Sequence, residues 1–318
     1  MRKLIGLAVV MMALILCQGA SALTLEKIKY GDMSQWVTRN LKESKVIGGK
    51  PKTVYAIGPT RTINGNVAYT PQGSPWASSN VYAKVSGVVK ASNTVEPAVV
   101  NGNKMAKLTT KIEEVKVLGL LNMDVMVTGT IFLGKVREPI SSTKNPYGKM
   151  EMGMPYTKRP KALVYDFKVD MPNVNHRVKA TGFGSKKTLA GRDQAEVYVL
   201  LQKRWEDAKG NIHALRVGTG RERYNRSIAL TRGHQLPIHY GDITRQSFYK
   251  PYMGLLNRSK AYHAYNSKGK LVPVQEEGWA PADAVPTHVL VMASSTCGEA
   301  FVGTEGLTMY IDNIAFGF

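Results

Sequence analysis

The sequence predicts an all-β protein: two facing sheets forming a β-sandwich, with long loops and little helix. Three observations predict it. Period-two alternation recurs, with Val81, Ala83, Val85, Gly87 and Val89 set against Tyr82, Lys84 and Ser86, and Val197, Val199, Leu201 and Trp205 set against Glu196, Gln202 and Arg204. The apolar runs are short and separated by Gly, Pro, Asn and Ser, so paired sheets are the natural way to bury their faces. The last stretch gives a run at 288–294, a Gly-containing turn at 302–306 and a closing run at 308–318. In that closing run Met309 and Ile311 share a face with Ile314, Phe316 and Phe318 only if one extra residue is absorbed at Asp312-Asn313, which predicts a bulged strand.

From the beginning, Arg2 and Lys3 precede an apolar stretch at 4–16 and small residues ending in Ala20-Ser-Ala22, the order of a cleavable export signal. The expectation is a signal peptide at 1–22, a mature chain from Leu23, and a periplasmic or cell-surface location. The apolar stretch is short for a membrane span and no later one is longer, so the protein is not expected to be transmembrane. Cys17 keeps a lipid tether open beside simple cleavage after Ala22. Without the signal, Cys297 is the remaining cysteine and has no disulfide partner within the chain, so stability must come from the core. Cys297 reads as a small buried hydrophobe at a strand end.

Further strands are expected at 53–57, 123–133, 161–169, 212–217 and 238–248. Residues 105–121 fit either period, because Leu108, Ile112 and Val115 also make a helical stripe. Nothing divides residues 23–318 convincingly, so one domain is expected. The irregular segments 58–79 and 139–160 are where a binding rim is expected.

The net charge is +20, and removal of the signal takes Arg2 and Lys3 with no acid, leaving +18. An exported protein this basic is expected to meet anionic polysaccharide or another anionic envelope surface. Its Lys and Arg residues are scattered, which, with export, argues against a nucleic-acid groove.

Six ordered segments carry a family resemblance: Ser74-Pro-Trp-Ala-Ser-Ser-Asn80, Lys104-Met-Ala-Lys-Leu-Thr-Thr110, Gly129-Thr-Ile-Phe-Leu-Gly134, Gly153-Met-Pro-Tyr-Thr-Lys-Arg-Pro160, Ala195-Glu-Val-Tyr-Val-Leu-Leu201, and Ser294-Ser295 with Ile311-Asp-Asn313. The series resembles the putative carbohydrate metabolism domain of exported bacterial proteins over most of 60–318. Tyr156 and Ile131 depart from its usual Phe and Leu. The resemblance implies a jelly-roll-like sandwich and glycan binding or handling, with no required cofactor. It also implies a possible structural calcium held by Asp312 with Asp32 or Glu26. The local alternative for Asp312 is hydrogen bonding at the bulge, since a buried carboxylate needs compensation.

Sugar recognition needs flat aromatic faces beside planar hydrogen-bonding groups. Of Trp36, Trp76, Trp205 and Trp279, the expected exposed platforms are Trp76, in a Pro- and Ser-rich loop, and Trp279, between Gly278 and Pro281. Trp205 ends an alternating strand on its apolar side and is expected in the core. Arg159 beside Tyr156 can offer a fork to a sugar carboxylate or satisfy loop carbonyls, and Asn80 and Tyr82 can add polar edges.

Catalysis has no local signature. The adjacent acids Glu113-Glu114 and Glu276-Glu277 point to opposite faces of a strand, so neither makes a dyad by itself, although distant carboxylates can converge in a hydrolase or lyase. His234 and His239 straddle Pro237 and lack zinc spacing. The remaining alternative is a non-catalytic envelope protein that binds other proteins.

Overall fold

The computed structural model describes residues 23–85, 87–117, 121–141, 148–182, 184–256 and 261–318; the expected signal peptide and Cys17 lie outside them. Apart from two short 3-10 turns, the regular structure of the described chain is all strand, and it forms a β-sandwich. One layer is antiparallel, in the order Ile228–Pro237, Ala162–Asp170, Thr308–Gly317, Asn103–Thr109, Val95–Val100, with Leu25–Lys27 also paired to the Thr308–Gly317 strand.

The other layer curls until it closes. From Thr130–Val136 it runs through Met150–Met152, His263–Tyr265, Leu271–Trp279, Ile212–Tyr224, Ala195–Glu206 and His288–Ser294, and this last strand pairs with Thr130–Val136 again. The closed layer therefore has an interior as well as a face toward its partner layer. The Ala195–Glu206 strand serves both. Val197, Val199 and Leu201 enter the main core with Leu163, Phe167, Ile311 and Phe316 of the facing layer, while Tyr198 and Leu200 pack inside the ring with Phe132, Leu290 and Met152. Burial on both faces explains why this segment reads as a nearly continuous apolar run.

The predicted bulge is present. The register steps from Val164↔Ala315 to Asp166↔Asp312, three residues on one strand against two on the other. Asn313 takes φ 51°, a left-handed conformation that asparagine adopts more readily than most residues. The extra residue returns Ile314 and Phe316 to the core beside Met309 and Ile311.

Five expectations are revised. Residues 81–89 are a hairpin, Val81–Val85 with Val88–Ser92, turning where Gly87 has φ 81°. Residues 105–121 hold the strands Asn103–Thr109 and Lys111–Val117, because pairing to neighbours overrides the helical period. The run 123–133 is divided between Leu121–Val127 and Thr130–Val136, with Gly129 at the break, where a Cβ would lie 2.2 Å from the Thr109 nitrogen. Of 238–248, only His239–Tyr240 is strand. The irregular segment 58–79 also holds two strands, Arg61–Asn64 and Trp76–Ser78.

Candidate functional site

The expected platforms lie elsewhere than on an open surface. Trp76 is fully buried, and its indole Nε1 donates to the Lys29 carbonyl at 3.0 Å. Its strand pairs with Thr130–Val136, with Trp76 opposite Leu133, which draws the Pro- and Ser-rich loop inward. Trp36 is buried as well and donates to Met33 O at 2.8 Å. Trp279 is half-buried, with the Arg216 guanidinium 5.7 Å from its ring centroid.

Asn80 is a staple. Its amide nitrogen donates to Tyr55 O, Asn93 Oδ1 and Val95 O, and its oxygen accepts from Thr94 N and Val95 N at 2.7 and 2.9 Å, which leaves little for a ligand. Tyr82 is buried in a cluster with Leu41, Val54 and Val89. Trp76 and Asn80 line a cavity of about 20 Å³ with Arg39, Tyr69 and Glu138. That space suits a single water molecule and not a sugar ring.

Tyr156 and Arg159 come together with the loop that follows Trp279, but both are engaged. Tyr156 packs on Phe316 at 4.7 Å, and burial, then the nearby Glu26 and Tyr240, push its hydroxyl well above the ordinary phenol range. Arg159 donates to Ala284 O and, at 2.6 Å, to Ala282 O, and lies over the Tyr240 ring at 4.1 Å. Its guanidinium satisfies loop carbonyls, the structural alternative weighed for it.

Asp312 is 5% exposed and its Oδ1 has no hydrogen-bond partner; burial, with Asp166 and Asp32 nearby, raises its pKa to about 6. These residues do not fit a calcium ion. Asp32 is bonded to Ser34, Asp166 to Gly233 N and Asn313, and Glu26 to Lys158; among the described residues no three acidic, histidine or cysteine groups converge on a metal position. The bulge instead carries a strained carboxylate. Because the folded pKa lies above the unfolded value, stability falls as pH rises from about 4 to about 6 and stays reduced above that. Asp312→Asn is therefore expected to raise stability by about 1–2 kcal/mol at pH 7.5, with the gain vanishing below pH ~4. Thermal melts across that range check it, and a pH-independent difference would contradict it.

Trp205 is exposed instead. Its residue is 42% accessible, the greatest among the tryptophans, and its ring stacks on His213 from the neighbouring strand, centroids 5.5 Å apart and planes 18° from parallel. The imidazole is fixed on both sides, by Glu277 Oε1 at 2.5 Å and Asp207 Oδ2 at 3.3 Å. Burial opposes charge on this ring, but the bonds to Asp207 and Glu277 outweigh it, so its pKa is raised. Asp207 is itself anchored by Asn211 and by Lys209 N, which together hold its carboxyl far below the usual range. Trp205 opposes His213, and His213 opposes Gln275 on the next strand, so aromatic, imidazole and amide groups form one row across the sheet, with Glu277 at its edge.

Inside the ring the polar layer is closed. Arg216 and Glu276 form a paired fork at 2.7 and 2.5 Å with side chains 0% and 1% exposed; Gln202 Nε2 and Leu256 N complete the carboxylate's shell. Glu196 accepts from Arg221 and Arg223. Glu276 and Glu277 indeed separate, one buried in the ring and the other on the outer surface. The two histidines that straddle Pro237 are engaged, His234 with Glu222 at 2.7 Å and His239 on Phe248 at 3.9 Å.

A β-sandwich with an exposed tryptophan–histidine row is thus the class of protein that the fold and surface define. Residues 58–238, more than half of the chain, match the family model described as putative carbohydrate metabolism domain, and the chain belongs to that family. No curated protein matches it. Among solved structures, a putative glycoside hydrolase from Bacteroides thetaiotaomicron is 16% identical, with 85% of this chain and 75% of that one covered and a TM-score of 0.43. A putative glycoside hydrolase from Bacteroides vulgatus is 12% identical, with 92% and 94% covered and a TM-score of 0.43.

Proposed function

We propose that this exported protein binds glycan without cleaving it, through the surface of Trp205, His213, Gln275, Asp207 and Glu277. The exposed Trp205 face carries the reading. A pyranose ring stacks its C–H side on such a face, while the carboxylates beside it accept from its hydroxyl groups. The excess of Lys and Arg concentrates the protein near anionic polysaccharide at the periplasmic or outer surface, and the Trp205 row supplies the short-range contact.

The buried carboxylates Glu196 and Glu276 do not make a glycosidase dyad, and the surface acids Asp207 and Glu277 are both tied to the His213 ring, which favours binding over hydrolysis. Glu196 lies opposite Arg223, whereas Glu276 bonds to Gln202 and Arg216 six residues further along the same strand pair, a backbone separation of roughly 20 Å. Glycosidase dyads stand about 5–10 Å apart, and here each acid is bonded to arginine. The test is affinity electrophoresis through gels containing neutral, uronic and sulfated polysaccharides, with product analysis on the same polymers. Retardation with polymer length unchanged is the expected result. Release of reducing ends or unsaturated sugars would replace this reading with catalysis, and free migration in every gel, together with recovery of a stable protein partner, would replace it with an envelope scaffold.

A further inference from the structure

At the end of the Ala195–Glu206 strand remote from Trp205, one carboxylate faces two guanidinium groups. Arg221 is fully engaged: Nε and Nη2 donate to the two Glu196 oxygens at 2.8 and 3.0 Å, and Nη1 to Tyr252 O at 2.6 Å. Arg223 is engaged on one side. Its Nε donates to Glu196 Oε1 at 2.6 Å and its guanidinium lies 4.4 Å from the Tyr252 ring centroid. Among the described residues nothing is bonded to its two Nη groups, and its side chain is 18% exposed. Two guanidinium groups thus share one bonded carboxylate. Cys297, which feels Arg223, Glu196, Asp193 and Arg221, adds no negative charge here, because burial pushes its thiol up to about 11.

We propose that Arg223 is an oxyanion site, its terminal amino groups taking a carboxylate or sulfate in a two-pronged bond beside the Tyr252 ring. Glu196 and Tyr252 hold the guanidinium in place before a ligand arrives, so little side-chain freedom is lost on binding. Paired N–H donors match the spacing of carboxylate and sulfate oxygens, which chloride does not reproduce. The site stands apart from the Trp205 row: Glu196 and Trp205 are nine residues apart on one strand, about 30 Å. It does not require that surface to bind sugar. Uronic acids and sulfate esters share the chemistry and are separated by the test.

The experiment titrates the full chain, carrying nitrogen-labelled arginine, with sodium glucuronate, sodium sulfate and, at matched ionic strength, sodium chloride. The Arg223 Nε–H resonance is followed directly, assigned by its absence in Arg223→Gln. A saturable shift with glucuronate or sulfate, absent with chloride, is expected; a response to one alone names the source. In parallel thermal-shift titrations, Arg223→Gln should lose the saturable stabilisation, Arg223→Lys should weaken it roughly fivefold because it keeps the charge but not the fork, and Trp205→Ala should leave it unchanged. Arg223→Gln leaves Glu196 paired with Arg221, so the fold is expected to persist. A drift equal to that with chloride, or saturation that survives in Arg223→Gln, overturns the proposal, and if Arg223→Gln misfolds the wild-type resonance, assigned instead by its absence in Arg223→Lys, decides.

Discussion

Arg216→Met is expected to destabilise the protein by about 3–5 kcal/mol, among the largest effects of any single substitution in the ring interior. The reason is what remains behind. Glu276 is 1% exposed at its side chain, and burial alone would push its pKa up; Arg216, the Leu256 N–H and Gln202 overcome that and hold it below the ordinary value. Without the guanidinium, the acid must either stay ionised in a dry interior or take up a proton. Glu276→Leu alone strands Arg216 in the same way. The double variant removes both charges and is expected to recover much of the loss, because desolvation of a buried pair offsets most of its mutual attraction. Urea or thermal unfolding of the four proteins measures the coupling. The pH dependence has a definite sign: Glu276 contributes stability above its unfolded pKa, and that contribution is lost as pH falls through its lower folded value. A strictly additive double variant would show that the two groups do not depend on each other.

The outline of the fold was legible in the sequence because period-two burial and turn residues are local signals. The bulge at Asp312-Asn313 was legible for the same reason: a parity change needs an inserted residue, and asparagine tolerates the conformation. Residues 81–89 misled because Gly87 kept the alternation intact while supplying a turn. The closed ring could not be read, since it depends on the His288–Ser294 strand meeting Thr130–Val136 across a long stretch of sequence. One signal did point to it. Arg216, Arg221 and Arg223 share a strand with Gly218 and Gly220, and a Cβ on Gly220 would lie 2.7 Å from Pro237 O. Charged residues in a strand that tightly packed imply a second, paired polar layer.

The tryptophans show what local context omits. Trp76 sits among turn residues, yet its neighbours form a short strand that pairs with the core. Trp205 follows an apolar series, yet 42% of it is exposed at the far end of that series. Whether a side chain is covered depends on its tertiary partners, and no window along the chain contains them. The exposed Trp205 row was missed for that reason, although the opposed positions of Trp205 and His213 followed from the hairpin once its register was known.

That inversion gives the second large prediction. Trp205→Ala is expected to cost about 2 kcal/mol or more in glycan affinity, roughly 30-fold in Kd, with little change in melting temperature. Trp76→Ala is expected to do the reverse, lowering stability by about 3–5 kcal/mol through the cavity it opens and the hydrogen bond to Lys29 O it removes, while its folded fraction keeps wild-type affinity. The pair separates contact from support. A loss of binding in Trp205→Ala alone could reflect a disturbed hairpin, so His213→Gln serves as the control: it keeps hydrogen-bonding capacity toward Glu277 and Asp207 but loses the aromatic stack, and should weaken binding by less than removal of the indole. If Trp76→Ala, assayed where it is still folded, loses affinity and Trp205→Ala does not, the sugar is held elsewhere and the exposed row is a surface without a ligand.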